Sequence, residues 1–256
     1  MLRQACPTAL ETGQRLGLSS FPLVPYSNRI GHGRFVWNGQ KIQIAPNCAP
    51  EPHAIHGTGW EDRWEIAEIS LSSVTLSLDH QADARWPWSF LARQTITLAD
   101  GGMTILMEAQ NTASEPTPLA FGHHPYFDAQ GARLNFRAER VWMNGDDMLP
   151  SEAIVPEGSY DFSQCGELAQ RSVDNCYAGW DGKAHIRWAG RPLSLTITSD
   201  MGAAVVYVPQ GENYFCFEPV PHSNNALNCR DADPKMPAID PGRSFRSTIS
   251  LMARSA

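Results

Sequence analysis

A chain of 256 residues is long enough to bury a large core, and 42% hydrophobic with 18% charged residues is the composition of an ordinary soluble globular protein. A formal net charge of −7 without a basic run argues against nucleic acid or an anionic membrane as partner and suits a neutral small molecule. Six cysteines include no CxxC pair, no window has membrane-spanning length and no signal-like stretch opens the chain, so free thiols in a cytoplasmic, reducing setting are expected, with no structural zinc.

The elements, taken in chain order, read as strands. In "FPLVPYSNRIGHGRF" (21–35), Asn28 and Arg29 follow an apolar segment bounded by prolines. "RFVWNGQKIQI" (34–44) places Asn38-Gly39 between two β-rich arms, the strongest short-range hairpin signal, because both central residues of a type I′ turn need positive φ. "APEPHAIHGTGW" (49–60) gathers His53, His56 and Trp60. "SVTLSLDH" (73–80) alternates Val74, Leu76 and Leu78 with polar residues, the period of a half-buried strand. Asp100-Gly101-Gly102 marks a second hairpin and Ala189-Gly190 a third. "CGELAQRS" (165–172) is the one candidate for a short helix. "RPLSLTITS" and the C-terminal "SFRSTISL" return to period two. With no linker, repeat or low-complexity tract, the expectation is an all-β, antiparallel two-sheet sandwich in a single domain, 1–256.

Two stretches carry the chemistry. In "FGHHPYF" (121–127) strand alternation puts His124 and Tyr126 on one face and Phe121, His123 and Phe127 on the other. In "NYFCFEPVPHSNN" (213–225) Phe215 and Phe217 share one face, Cys216 and Glu218 the opposite one. Taken singly, each polar residue has an ordinary explanation: a surface arginine, loop histidines, a strand-end carboxylate in water. Together, a histidine and a glutamate aimed into one cleft form an acid–base pair tunable toward neutral pH. No nucleophile elbow and no phosphate-binding glycine loop is present, which leaves proton transfer on a neutral substrate.

At these residues the sequence resembles the aldose 1-epimerases, or galactose mutarotases, and among them the compact bacterial members. The marks are "NRI" (28–30), "IHG" (55–57), "HPYF" (124–127), "VDNCY" (173–177) and "FEP" (217–219), in the family's order. The resemblance implies a large β-sandwich with a sugar in a cleft across one sheet. It implies His124 as general acid and Glu218 as general base, and Asn28, Arg29, His56, Tyr126 and Asp174 as holders of the sugar hydroxyls. It implies interconversion of the α and β anomers of a hexose by ring opening and closure, in carbohydrate metabolism, with no metal or other cofactor, by a monomer or homodimer.

Three departures from the family pattern stand out. Val205 falls where larger members carry a sugar-contacting glutamine. Asn175 follows Asp174 where they favour histidine. The resemblance begins near Phe21, so the fold is expected to lack the family's first strands and to expose strand edges or apolar sheet surface. The rival readings are a hexose 6-phosphate mutarotase, with Arg63, Arg85 and Arg93 as available cations, a glycoside hydrolase using Glu218 with Asp174, and a sugar-binding module without catalysis.

Overall fold

The computed structural model describes residues 1–255. Two antiparallel sheets dominate it. A seven-stranded sheet runs, in spatial order, Ser20–Leu23, Gly122–Asp128, Tyr214–Val220, Ala203–Val208, Val173–Ala178, Arg140–Asn144 and Pro150–Ile154. A nine-stranded sheet contains the long strands Phe90–Ala99, Gly102–Asn111 and Ser244–Arg254. The expected hairpins are in place. Asn38 (φ 47°) and Gly39 (φ 79°) join Arg34–Trp37 to Gln40–Gln43 with both turn residues in the left-handed region. Gly101 (φ 78°) turns Phe90–Ala99 into Gly102–Asn111, and Gly190 (φ 76°) lies between Lys183–Trp188 and Ser194–Ser199.

The core forms where the sheets face each other. Phe127, Phe215 and Phe217 from the seven-stranded sheet, with Phe121 just ahead of its strand, share one buried cluster with Ile105, Met107, Leu195, Ile197 and Ile249 from the nine-stranded one. Burying side chains of this size contributes about 1.5–3 kcal/mol each. The alternation read from "FGHHPYF" and "YFCFEP" therefore holds: the phenylalanines take the inner face. Tyr126, Cys176, Val205 and Cys216 belong to a second cluster on the outer face, with Phe21, Trp60 and Trp142.

One expectation is corrected. "CGELAQRS" forms no helix; Gly166–Glu167 instead pairs with Ala132–Phe136, and a turn follows. Gly166 and the Arg171 bonds to the Ser159 and Asp161 carbonyls hold that segment extended against its neighbours. The α-helix among the described residues is the four-residue Ala9–Thr12, which no helical periodicity announced. At the chain's beginning Gly122–Asp128 finds partners, and the short Ser20–Leu23 becomes the outer edge of the sheet. Ser20–Leu23 pairs with Gly122–Pro125, Leu2 bridges Phe127, and the Arg3 and Asp128 backbone N–H groups donate to the Tyr126 and Met1 carbonyls. Apolar surface is exposed at the chain's start, where Met1 and Leu2 line an open cavity with Leu98, Met103, Phe127 and Leu251, and also at Ile66 and Ile69 of the edge strand Glu65–Ile69 and at Leu71. No helix among the described residues is long and apolar enough to cross a membrane.

Candidate active site

The outer face of the seven-stranded sheet carries a cleft of about 200 Å³ lined by Leu16, Asn28, Arg29, Ile55, His56, His124, Tyr126, Asp174, Tyr207, Tyr214 and Glu218. All seven residues singled out from the sequence line it. Its floor is set by sheet register. Gly122–Asp128 and Tyr214–Val220 are hydrogen-bonded neighbours with Tyr126 opposite Cys216. Continuing that register by two residues sets His124 opposite Glu218, and the His124 Nε2 and Glu218 Oε1 atoms lie 3.2 Å apart. Both side chains are almost wholly buried. Glu218 Oε2 and His124 Nδ1 have no hydrogen-bond partner, an arrangement that buried polar atoms rarely tolerate outside functional sites.

Burial dominates the electrostatics of this pair. It raises the Glu218 carboxyl well above its ordinary range; Asp174 adds to that, and Arg29 opposes it. It lowers the His124 imidazole well below its ordinary value, helped by neighbouring His56. Both shifts act in the same sense, so the low-dielectric surroundings favour the neutral arrangement of the pair over the ionised one. His124 is fixed by rings: Tyr126 stacks on it with centroids 4.6 Å apart, and Phe21 lies 4.6 Å away on the paired strand.

The walls come from two short motifs that fold onto each other. Arg29–Ile30 pairs with Ala54–Ile55. The Asn28 N–H donates to His56 Nδ1 at 3.2 Å, and the His56 N–H donates to the Asn28 carbonyl at 3.0 Å. An accepting Nδ1 puts the imidazole proton on Nε2, and burial lowers the His56 pKa to about 3, so this ring is a neutral donor at physiological pH. Asn28 (φ 55°) and His56 (φ 63°) both occupy the left-handed region, an uncommon backbone state for such residues that clusters at functional sites. Gly57 completes the turn. A Cβ there would sit 2.3 Å from the Val24 carbonyl oxygen, so no other residue fits.

Arg29 spans the wall. Its Nε donates to Glu51 at 3.1 Å, and a terminal nitrogen lies 3.4 Å from Asp174. Asp174 is half-buried, its carboxyl raised by burial and pulled back by Arg29. Asn175, which stands where larger relatives were expected to carry histidine, anchors this strand by donating to the Trp142 carbonyl. Val205, the expected glutamine position, pairs with Glu218 in the sheet and is buried. His53 separates from His56: it is fully buried, with Nδ1 accepting from the His32 N–H and Nε2 bonded to the Asp147 carbonyl.

Sequence reasoning missed Tyr207, Tyr214, Leu16 and Glu51. Tyr214 shares its strand face with Cys216 and Glu218, so alternation alone could have found it. Tyr207 is opposite Asp174 across the ladder. Leu16 lies in the single 3₁₀ turn Arg15–Gly17 and Glu51 in a loop, both too short to carry a periodic signal. Arg63, Arg85 and Arg93 do not line the cleft, and Arg85 is held by Asp62 and Asp83.

The aldose 1-epimerase family model matches residues 12–252. The chain belongs to the aldose 1-epimerase family. An uncharacterized protein YphB of Escherichia coli K12 is 28% identical over 258 residues, covering 94% of this chain and 87% of that protein. Human galactose mutarotase is 27% identical over 168 residues, 60% of this chain and 48% of that protein. Among solved structures, a galactose mutarotase-like protein from Clostridium acetobutylicum superposes with a TM-score of 0.86 at 18% identity, covering 100% of this chain and 86% of that one. A crystal structure from Escherichia coli K12 superposes with a TM-score of 0.90 at 27% identity, covering 100% of this chain and 89% of that chain. The family assignment gives the cleft its context: its five motifs, scattered along the chain, converge on one wall and one floor.

Proposed function

We propose that this family member is an aldose 1-epimerase that interconverts the α and β anomers of an unphosphorylated hexose by general acid–base catalysis. The observation that carries the reading is the 3.2 Å contact between His124 Nε2 and Glu218 Oε1 at the floor of a cleft walled by hydroxyl-binding groups. A sugar seated over the pair meets both at once. Glu218 takes the proton from the anomeric hydroxyl while His124 gives one to the ring oxygen. The ring C–O bond breaks, the aldehyde turns about C1–C2, and closure on the other face reverses both transfers.

The pair's proton count is the same before and after each step. Ring opening moves one positive charge off His124 and one negative charge off Glu218. Burial, which lowers the imidazole and raises the carboxyl, favours the neutral pair at rest as well as at the open-chain stage. The reacting form therefore arises by moving the shared proton from Glu218 to His124 across their 3.2 Å contact, with the sugar's hydroxyls solvating the charges so formed. His56 Nε2–H, Arg29, Asn28 and Asp174 are the partners for ring hydroxyls, and Tyr126, whose ring packs on His124 and under Arg3, offers its hydroxyl.

Neutral substrate is favoured over hexose phosphate because Arg29, the cation lining the cleft, is already matched by Glu51 and Asp174. A hydrolase built on Glu218 and Asp174 leaves the histidine contact without a role. Polarimetry on freshly dissolved α-galactose or α-glucose tests the reading. Optical rotation should reach equilibrium faster in proportion to protein concentration. A folded protein that leaves both decay rates at the buffer value overturns it.

A further inference from the structure

The geometry points to a metal-ion site on the cleft floor, formed by His124, Cys216 and Glu218, for a thiophilic divalent cation of the zinc type, whose occupation shuts the acid–base pair off. Each of the three offers one ligand atom, and these atoms all lie within 4.8 Å of one another. The sheet explains why. Cys216 and Glu218 are two residues apart on one strand face, and His124 stands opposite on the neighbouring strand. Zinc bonds of about 2.0–2.3 Å in tetrahedral geometry set donors roughly 3.3–3.8 Å apart. The histidine and glutamate, 3.2 Å apart, are close to that spacing, and the thiol sulfur lies within 4.8 Å of both.

Two independent features favour a ligand here. Glu218 Oε2 is buried without a partner, so the carboxylate has unused ligand capacity beside the histidine contact. The charge also balances. A divalent cation, a thiolate, a carboxylate and a neutral imidazole sum to zero, which suits a position shielded from water. Binding releases two protons, one from the thiol and one from the His124–Glu218 pair, so the site is neutral before and after. Magnesium and calcium are excluded by the thiolate and by their demand for six or more oxygen ligands. Cys216 takes no part in the proton transfers above, and this chemistry would give it one.

The binding claim rests on geometry, and its consequence for activity rests on the mutarotase reading. The test uses the full chain with the exposed Cys6 and Cys165 changed to serine, titrated with Co²⁺ as a spectroscopic probe and then with Zn²⁺. One Co²⁺ per chain should bind with a thiolate-to-cobalt charge-transfer band, and Zn²⁺ should displace it. Cys216→Ser should abolish the band. Cys216→Ala and His124→Asn should each weaken Zn²⁺ binding by more than the roughly 10–100-fold that loss of an outer-shell partner costs. Cooperative melting of the variants checks that they fold, and His124→Asn alone decides the matter should Cys216 variants not fold. Absence of a 1:1 complex, or a thiolate band that survives Cys216→Ser, overturns the site. If metal binds as described while metal-free protein fails to accelerate mutarotation, the site stands and the mutarotase reading falls. If mutarotation is accelerated but Zn²⁺ neither binds at Cys216 nor inhibits, the reverse holds.

Discussion

The two faces of the seven-stranded sheet are built from the same strands and obey opposite rules. On the inner face, Phe121, Phe127, Phe215 and Phe217 pack without a polar atom among them against the nine-stranded sheet. On the outer face, one residue along the same strands, His124 and Glu218 are just as buried yet keep unpartnered polar atoms. Burial on the first face is stability. On the second it is a means of moving two proton affinities toward each other. A rigid ladder supports both, since a strand held by packing on one side cannot relax to satisfy a stray carboxylate on the other.

Substituting the outer face should give the largest change. Glu218→Gln and His124→Asn should each lower accelerated mutarotation by about 10²–10⁴-fold while melting close to the parent. A variant that turns sugar over at the parent rate would remove that residue from the mechanism. The inner face should respond the opposite way. Phe217→Ala should destabilise the fold by about 3–5 kcal/mol, read by denaturant melts, while any folded fraction keeps its proton-transfer pair. A loss of activity without loss of stability would erase the distinction between the faces.

Acid should separate the faces too. Burial lowers His123 and His222 from the ordinary 6.5 to about 4. Unfolded chains take up these protons as the pH falls through 6.5, and the native protein does not until about 4. The stabilisation is therefore complete above 6.5 and lost between 6.5 and 4, by roughly 3 kcal/mol for each histidine. Glu218, raised in the fold, has the opposite sign: the native state binds its proton more tightly, so its contribution declines as pH rises above the ordinary carboxylate range. Urea midpoints measured across this window should fall steadily on acidification, and a flat profile would contradict buried, neutral His123 and His222.

A smaller effect is expected at the cleft wall. Glu51→Gln removes the carboxylate that accepts from Arg29 Nε and should cost roughly tenfold in kcat/KM, chiefly through KM. A fall confined to kcat would place Glu51 nearer the proton transfer than its position indicates. The smallest effect should come from His123→Asn. His123 points away from His124 and bonds Ser20 Oγ at 2.8 Å, so most activity should survive. An inactive His123→Asn with an active His124→Asn would mean that the strand register is off by one residue.

Much of this was legible in the sequence because it depends on local periods. Two-residue alternation sorted phenylalanines from the histidine and glutamate, since successive Cβ atoms point to opposite faces whatever the strand packs against. Asn38-Gly39 specified its hairpin because few other pairs tolerate that turn. The five short motifs named the family and the seven cleft residues. The irregular parts were not legible. "CGELAQRS" has helix-forming residues, and tertiary pairing overrode that weak preference. Ala9–Thr12 is too short for periodicity to register.

By itself, then, the sequence determined which residues face the same way along each strand. Only the tertiary structure decided which strands lie side by side. His124 and Glu218 belong to segments far apart in the chain, and their 3.2 Å contact exists because Gly122–Asp128 and Tyr214–Val220 are neighbours in one register. The same holds for Glu51 on Arg29, for Leu16 at the rim and for Cys216 beside the pair. Non-local pairing is set by the summed burial of two whole sheet faces, and no short window of sequence contains that sum.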